Sequence, residues 1–206
     1  SQTVTISENA ANQASDSSVC GLHAGDVIRM DDLLYGMMLR SGNDAAISIA
    51  ESISGSVEEF AALMNKEAAA LGATQSHFVN PNGLPDENHY TSVYDLYLIF
   101  QNAVQDQTFL DIISTMNYDV VYTDVNGVGV EKTWENTNQY LTGKEKAPEG
   151  ITVVGGKTGT TGAAGYCLVL YSYNASGQPI VSIVLKADGK SNLYLLMNEM
   201  LSGFAN

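Results

Sequence analysis

Two short polar stretches hold the residue types that could do chemistry: "SGN", Ser41 to Asn43, and "GGKTGTTG", Gly155 to Gly162. The second sets one charged residue, Lys157, among glycines and threonines, a composition suited to holding an anion. A phosphate-binding loop reads G-x-x-x-x-G-K-[ST]. Gly156, Lys157 and Thr158 fit the end of that pattern, but its leading glycine falls on Ile151, with Gly150 one place off. The phosphate reading therefore fails by one residue, and Lys157 needs another anionic partner. Taken singly, neither stretch is specific: Ser-Gly-Asn is ordinary turn chemistry, and Lys-Thr-Gly also suits a solvated strand end.

The elements that must position these residues follow from pattern. "DDLLYGMMLR" places Leu33, Leu34, Met37 and Met38 on one helical face, and "DAAISIAESI" resumes the helical period after the Ser41–Asn43 break. Ser56 and Glu59 form a capping box for "VEEFAALMNKEAAAL", which Gly72 stops. "HFVNPNGLPDENHY" is a loop by its Pro, Gly and Asn content. Thr91 or Ser92 caps "VYDLYLIFQNAV", "TFLDIIS" is a short helix, and "YDVVYTDVNGVGVEKTW" is a hairpin around Asn126-Gly127. "NTNQYLTGKEKAPEG" reads as a loop. Lys157-Thr158-Gly159 then falls at the start of a strand, followed by the strands "YCLVLYSY" and "PIVSIVLKA" and an apolar helix, "NLYLLMNEMLSGF". Helices segregated from an antiparallel sheet predict an α+β fold. One domain is expected over 1–206. Within it, about 26–144 forms a mostly helical subdomain with a hairpin, and 1–25 joins 145–206 on the sheet side.

Composition removes several function classes. Nine Lys and Arg stand against 23 Asp and Glu, a net charge of -14, which excludes a nucleic-acid footprint. The window from Gly150 to Cys167 contains Lys157 and no acid, so a cationic spot interrupts an acidic surface. His23, His77 and His89 lack metal-ligand spacing, and neither a metal nor a cofactor is expected. Cys20 and Cys167 are expected to be free, partly buried thiols. No apolar run approaches the ~20 residues of a membrane span.

S-x-x-K, S-D-N and K-T-G, in that order, mark penicillin-binding proteins and class A β-lactamases. "DLLYGMMLRSGNDAA", "HFVNPNGLPDENHYTSVYDL", "NTNQYL" and "GGKTGTTGAAGYCLV" together resemble the D-alanyl-D-alanine carboxypeptidases of low molecular mass within the penicillin-binding proteins. The resemblance runs through nearly the whole chain. It implies a β-lactamase/transpeptidase-like fold and a serine peptidase that removes the terminal D-alanine from peptidoglycan stem peptides ending in D-Ala-D-Ala. The reaction passes through an acyl-enzyme, and β-lactams would acylate the same serine. It also implies an exported, extracytoplasmic parent in the bacterial envelope. By that resemblance Ser41 relays a proton to the leaving amine, and Asn43 orients the substrate backbone and a catalytic lysine. Lys157 with Thr158, Gly159 and Thr160 binds the substrate carboxylate, and the Thr160 N–H belongs to the oxyanion hole. A carboxylate suits a point-charge ammonium beside hydroxyls. Gly155, Gly156 and Gly159 are expected to let a substrate backbone lie close to the strand.

The chain departs from that pattern in one respect. None of its lysines, at 66, 132, 144, 146, 157, 186 and 190, follows a serine by three positions. The nucleophile of S-x-x-K is therefore absent, and the expectation is an N-terminally truncated fragment without covalent chemistry. Lacking N-terminal strands, "PIVSIVLKA" would present an open edge and invite self-association. The region before the last helix, "ADGKSNLY", offers Lys190 but no arginine for the carboxylate. Two alternatives remain open. A class A-like β-lactamase would want S-D-N and a deacylating glutamate, for which Glu87 is the nearest residue. The other is a non-catalytic peptidoglycan-binding pseudoenzyme.

Overall fold

The computed structural model describes residues 2–206 and builds them into seven strands and seven helices. β1 (Thr3–Thr5), α1 (Glu8–Ala11) and β2 (Val27–Arg29) lead into α2 (Met30–Arg40), α3 (Asn43–Ser54) and α4 (Val57–Ala70). α5 (Val93–Ala103) and α6 (Gln107–Ser114) precede the hairpin β3 (Asn117–Thr123) and β4 (Gly129–Glu135). β5 (Thr152–Thr161), β6 (Gly165–Tyr173), β7 (Pro179–Ala187) and α7 (Lys190–Ser202) close the chain. The fold is α+β, as the segregated pattern predicts.

The strands make two antiparallel sheets, ordered β1-β2-β3-β4 and β5-β6-β7. This corrects the place of residues 1–25, which do not join the C-terminal sheet. Val4 pairs with Ile28, and Val4, Ile6 and Ala10 are buried with Leu33 of α2 and Ala45 and Ile49 of α3. The reason is local. Alternation puts Val4 and Ile6 on one face, and the turn at Gly25 (φ 89°) returns the chain so that β2 pairs beside β1.

β5-β6-β7 is covered on both faces, which explains its nearly continuous apolar runs. Leu168 and Leu170 of β6 are buried against Leu193, Tyr194, Met197 and Leu201 of α7. Val169 and Tyr171, alternating with them, pack on Phe100 of α5, on Val104 just after it and on Ile113 of α6. Each fully buried side chain of this size contributes roughly 1.5–3 kcal/mol.

α2, which delivers Ser41, is tied to the N-terminal sheet at its first turn. Asp32 is fully buried, takes a fork of hydrogen bonds from Arg29 at 2.9 and 2.7 Å, and accepts the Tyr118 hydroxyl at 2.6 Å. Burial pushes its carboxyl pKa up, but the Arg29 and Tyr118 hydrogen bonds outweigh that and hold it below the usual range.

Candidate active site

α2 ends at a strained corner. Ser41 adopts the left-handed conformation (φ 53°, ψ 39°), which costs a non-glycine residue about 1–2 kcal/mol. Gly42 is required beside it, because a Cβ there would stand 2.4 Å from Cys20 Sγ. Asn43 opens α3, its N–H bonded to the Ser18 carbonyl at 2.9 Å. Beneath the corner, buried Asp44 accepts the N–H groups of Cys20, Gly21 and Leu22 at 2.8, 2.9 and 3.0 Å, and that of Ala45 at 2.9 Å. Lys132 then donates to the Gly21 carbonyl at 2.6 Å. The 18–22 loop is thereby stapled under the Ser41–Asn43 turn. Both cysteines are free thiols, as expected; Cys20 is fully buried and Cys167 partly so. Burial pushes the Cys20 thiol well above its ordinary pKa, which disfavours the thiolate.

β5 brings the second cluster. Lys157 is the sixth residue of the ten-residue strand and not at its start. The strand begins earlier because Thr152 and Val153 already pair with β6, ahead of a register shift at Val154. Lys157 lies opposite Val169, on the sheet face toward α5 and α6. Its ammonium donates to Ser41 Oγ and, at 2.6 Å, to the Thr158 carbonyl. This link between a helix end and a strand 116 positions later joins the two sequence clusters directly. Partial burial draws the Lys157 pKa down to about 8. Among the described residues no carboxylate lies within salt-bridge distance of it, so its charge is left for an incoming group.

The structure also assigns work to residues that the sequence pattern set in a loop. The Thr137 N–H donates to the Leu39 carbonyl of α2 at 3.2 Å, and its hydroxyl meets that of Thr158 at 2.6 Å. Asn136 holds the same segment to the Thr115 carbonyl at 2.9 Å, and the Gln139 N–H reaches the Tyr194 hydroxyl of α7 at 2.9 Å. Residues 136–139 thus bridge the helix carrying Ser41, the strand carrying Lys157 and the C-terminal helix. Nothing in residue spacing marks Thr137 for this, although "NTNQYL" is four polar residues before an apolar pair, an odd composition for a disposable loop.

The glycines divide into two kinds, and here the expectation is corrected. A Cβ on Gly155 would stand 2.1 Å from the Ile113 carbonyl of α6, and one on Gly156 2.1 Å from the Val169 carbonyl of β6. Both serve close packing of the protein's own backbone. Gly159 meets nothing nearer than Cys167 Cβ at 4.0 Å, and Gly159 and Thr160 are exposed. Open space beside these glycines is therefore confined to Gly159, toward the outer end of the strand.

Ser41, Lys157 and Thr158 form one hydrogen-bonded group, with Asn43 two residues from Ser41. The Asn43 amide makes no side-chain hydrogen bond among the described residues and stays available to a ligand or to another side chain. Lys190 is exposed at the first residue of α7, and Asn192 is engaged with Asp188 at 2.6 Å. Glu87 is exposed. His89 accepts the Val79 N–H at 3.1 Å within its loop, and no group of three metal-binding side chains occurs among the described residues.

A family model described as D-alanyl-D-alanine carboxypeptidase matches residues 1–189. The chain is 37% identical over 170 residues to D-alanyl-D-alanine carboxypeptidase DacF of Bacillus subtilis, covering 82% of this chain and 40% of that protein. It is 32% identical over 205 residues to D-alanyl-D-alanine carboxypeptidase DacA of Haemophilus influenzae, covering 98% of this chain and 49% of that one. The chain thus spans about half or less of the length of these relatives. The crystal structure of the Streptomyces K15 DD-transpeptidase superimposes with a TM-score of 0.89 at 29% identity, over 99% of this chain and 79% of that one.

Proposed function

The chain belongs to the D-alanyl-D-alanine carboxypeptidase family, and from that premise we propose that it supplies the carboxylate-binding and proton-relay wall of a serine-type peptidase. The substrate is a peptidoglycan stem peptide ending in D-Ala-D-Ala, β-lactams are its mimics, and the working location is the extracytoplasmic cell envelope. One observation carries this reading: Lys157 donates to Ser41 Oγ while no carboxylate neutralises it. Because Ser41 Oγ accepts from the ammonium, its own proton is free to pass to a leaving amine. The Lys157 charge, with the Thr158 and Thr160 hydroxyls, receives the terminal carboxylate. β5 is the outer strand of its sheet, so alternate N–H groups point away from β6; the Thr160 N–H serves as an oxyanion donor. Asn43 orients the peptide backbone.

None of the seven lysines follows a serine by three positions, so this chain binds without being acylated. Incubation with a fluorescent penicillin and a denaturing gel should give no labelled band. Titration with an N-acylated peptide ending in D-Ala-D-Ala should give saturable binding that Lys157→Met abolishes. A labelled band, or binding indifferent to Lys157→Met, refutes the assignment. β7 is the other outer strand, and its free edge pairs with a second copy of the chain. The register shift against β6 near Lys186 (φ 60°) limits that pairing to the first part of the strand. Light scattering that gives a strict monomer across concentration rejects the pairing.

A further inference from the structure

Away from Ser41 and Lys157, a cavity of about 430 Å³ opens between α1, the far end of α3, the start of α4 and the 80–84 loop. That volume falls within the roughly 300–1,000 Å³ of small-molecule sites. Its lining is unusual in kind. Asn9, Asn12, Gln13, Asn80 and Asn82 bring five carboxamides to the lining from two segments, while Lys, Arg and His contribute nothing. Ile47, Pro81 and Leu84 supply apolar surface beside them.

Some of these polar groups are occupied in building the site. Asn80 folds its own loop by accepting the Gly83 N–H at 2.8 Å and donating to the Leu84 carbonyl at 2.9 Å. Glu51 accepts the Ser7 hydroxyl at 2.6 Å and the Asn9 amide at 2.7 Å. Gln13 donates to the carbonyls of Asn9 and Ala10 at 3.0 and 3.2 Å. Left over among the described residues are the Asn12 and Asn82 amides, the Asn9 and Gln13 side-chain carbonyl oxygens and the Glu58 carboxylate. They lie on three separate elements around one opening.

The ligand class follows from that inventory. Without a cation the cavity repels phosphates and carboxylates. Glu51 is already engaged, so Glu58 is the one uncommitted carboxylate, and a lone carboxylate does not make a metal site. A carboxamide offers a donor and an acceptor side by side, and a hydroxyl is both at once. Several carboxamides next to an apolar patch therefore match a ring with hydroxyls at its edge and C–H bonds on its face. We infer that this cavity is a second binding site, for a neutral saccharide. The saccharide class stands on the cavity itself. Choosing an N-acetylated glycan as the natural ligand rests on the stem-peptide reading of the Ser41 site.

Placement supports a polymer that occupies both sites. Asn43, Ile47 and Glu51 lie on successive turns of α3, so the cavity begins about 6–12 Å along that helix from Asn43. A stem peptide lying in the Ser41 site could remain joined to a sugar seated there.

The test is NMR titration of the isotope-labelled chain with an N-acetylglucosamine tetramer. Expected are saturable shifts at Asn12, Asn82 and the 80–84 backbone, with a Kd on the order of 1 mM for an open polar site. Asn82→Leu and Glu58→Gln should each weaken binding about tenfold, equivalent to 1.4 kcal/mol. Neither change touches the core, and unchanged far-UV circular dichroism establishes that the variants are folded. Lys157→Met should leave saccharide binding unaltered. The inference is overturned by shifts absent at saturating tetramer, by affinity indifferent to both variants, or by a diamine that binds in the tetramer's place. If the unsubstituted chain binds the saccharide but not the D-Ala-D-Ala peptide, the Ser41 assignment alone falls; if it binds the peptide but not the saccharide, only the cavity falls.

Discussion

Gly155→Ala should damage the protein far more than its one added methyl group suggests. The new Cβ would lie 2.1 Å from the Ile113 carbonyl oxygen, 2.5 Å from its carbon and 3.0 Å from the Ser114 nitrogen. Unbonded carbon and oxygen need more than 3 Å, so β5 and α6 must separate by about 1 Å. Side-chain rotation cannot relieve this, because every atom met is backbone. β5 cannot retreat either. Gly156, next in the strand, already sits so close to β6 that a Cβ there would be 2.1 Å from the Val169 carbonyl. Overpacking costs typically 1–3 kcal/mol, and a rigid contact pinned on both sides belongs at the top of that range. For a chain of this size about 3 kcal/mol corresponds to a loss of roughly 6–12 °C in Tm. Gly159→Ala is the matched control, with its nearest atom at 4.0 Å, and should stay within about 0.5 kcal/mol. Thermal unfolding followed by circular dichroism reads both. A Gly155→Ala shift below about 2 °C, or a Gly159→Ala shift of equal size, would refute the packing account of the paired glycines.

Two further outcomes follow from the site. Lys157 titrates near 8 in the folded chain against 10.5 when unfolded, so between those values the unfolded chain holds the extra proton and stability rises with pH. Lys157→Met should lack that rise, which thermal melts from pH 7 to 11 would reveal; parallel curves for the two proteins would contradict it. Asp44→Ala removes the acceptor of four N–H groups and strands them at about 1–3 kcal/mol for each that finds no other partner. A loss of at least about 3 kcal/mol in urea denaturation is expected, and a near-neutral result would mean that the 18–22 loop is not held by this carboxylate.

Much of the fold was legible because local signals agreed with the tertiary result. Ser56 and Ser92 cap α4 and α5, each accepting the N–H three residues on at 3.1 Å, and Gly127 (φ 80°) turns the β3–β4 hairpin. Residues 1–25 were misplaced because a three-residue strand carries a period but no address. Its partner is selected by a turn and a shared core. Ser41 and Lys157 were legible as polar breaks in regular elements, yet their contact spans 116 positions and only folding reveals it. Thr137 was marked only by the resemblance of "NTNQYL" and not by residue spacing, since its contacts depend on two other segments arriving beside it. Gly155 and Gly156 were legible as glycines needing close approach. That the close partner is α6 and β6, not a ligand, cannot be read from a one-dimensional pattern.

The two kinds of glycine bear on how the site can function. A cation that must receive a carboxylate loses affinity if it wanders, since an ordered lysine side chain gives up substantial rotamer entropy. Lys157 is held at both ends. Its backbone is fixed where Gly155 and Gly156 lock β5 between α6 and β6, and its ammonium is fixed by Ser41 Oγ and the Thr158 carbonyl. Ser41 is fixed in turn, because its left-handed corner rests on Gly42, Cys20 and Asp44. The ordering cost is thus met on folding instead of on binding. Partial burial adds to this: it weakens solvation of the ammonium, as its lowered pKa records, and so strengthens the attraction for a carboxylate that replaces water. An exposed lysine with no side-chain partner among the described residues, such as Lys190 at the start of α7, has neither advantage. The proposed carboxylate role therefore suits Lys157 better than Lys190, even though both carry the same charge.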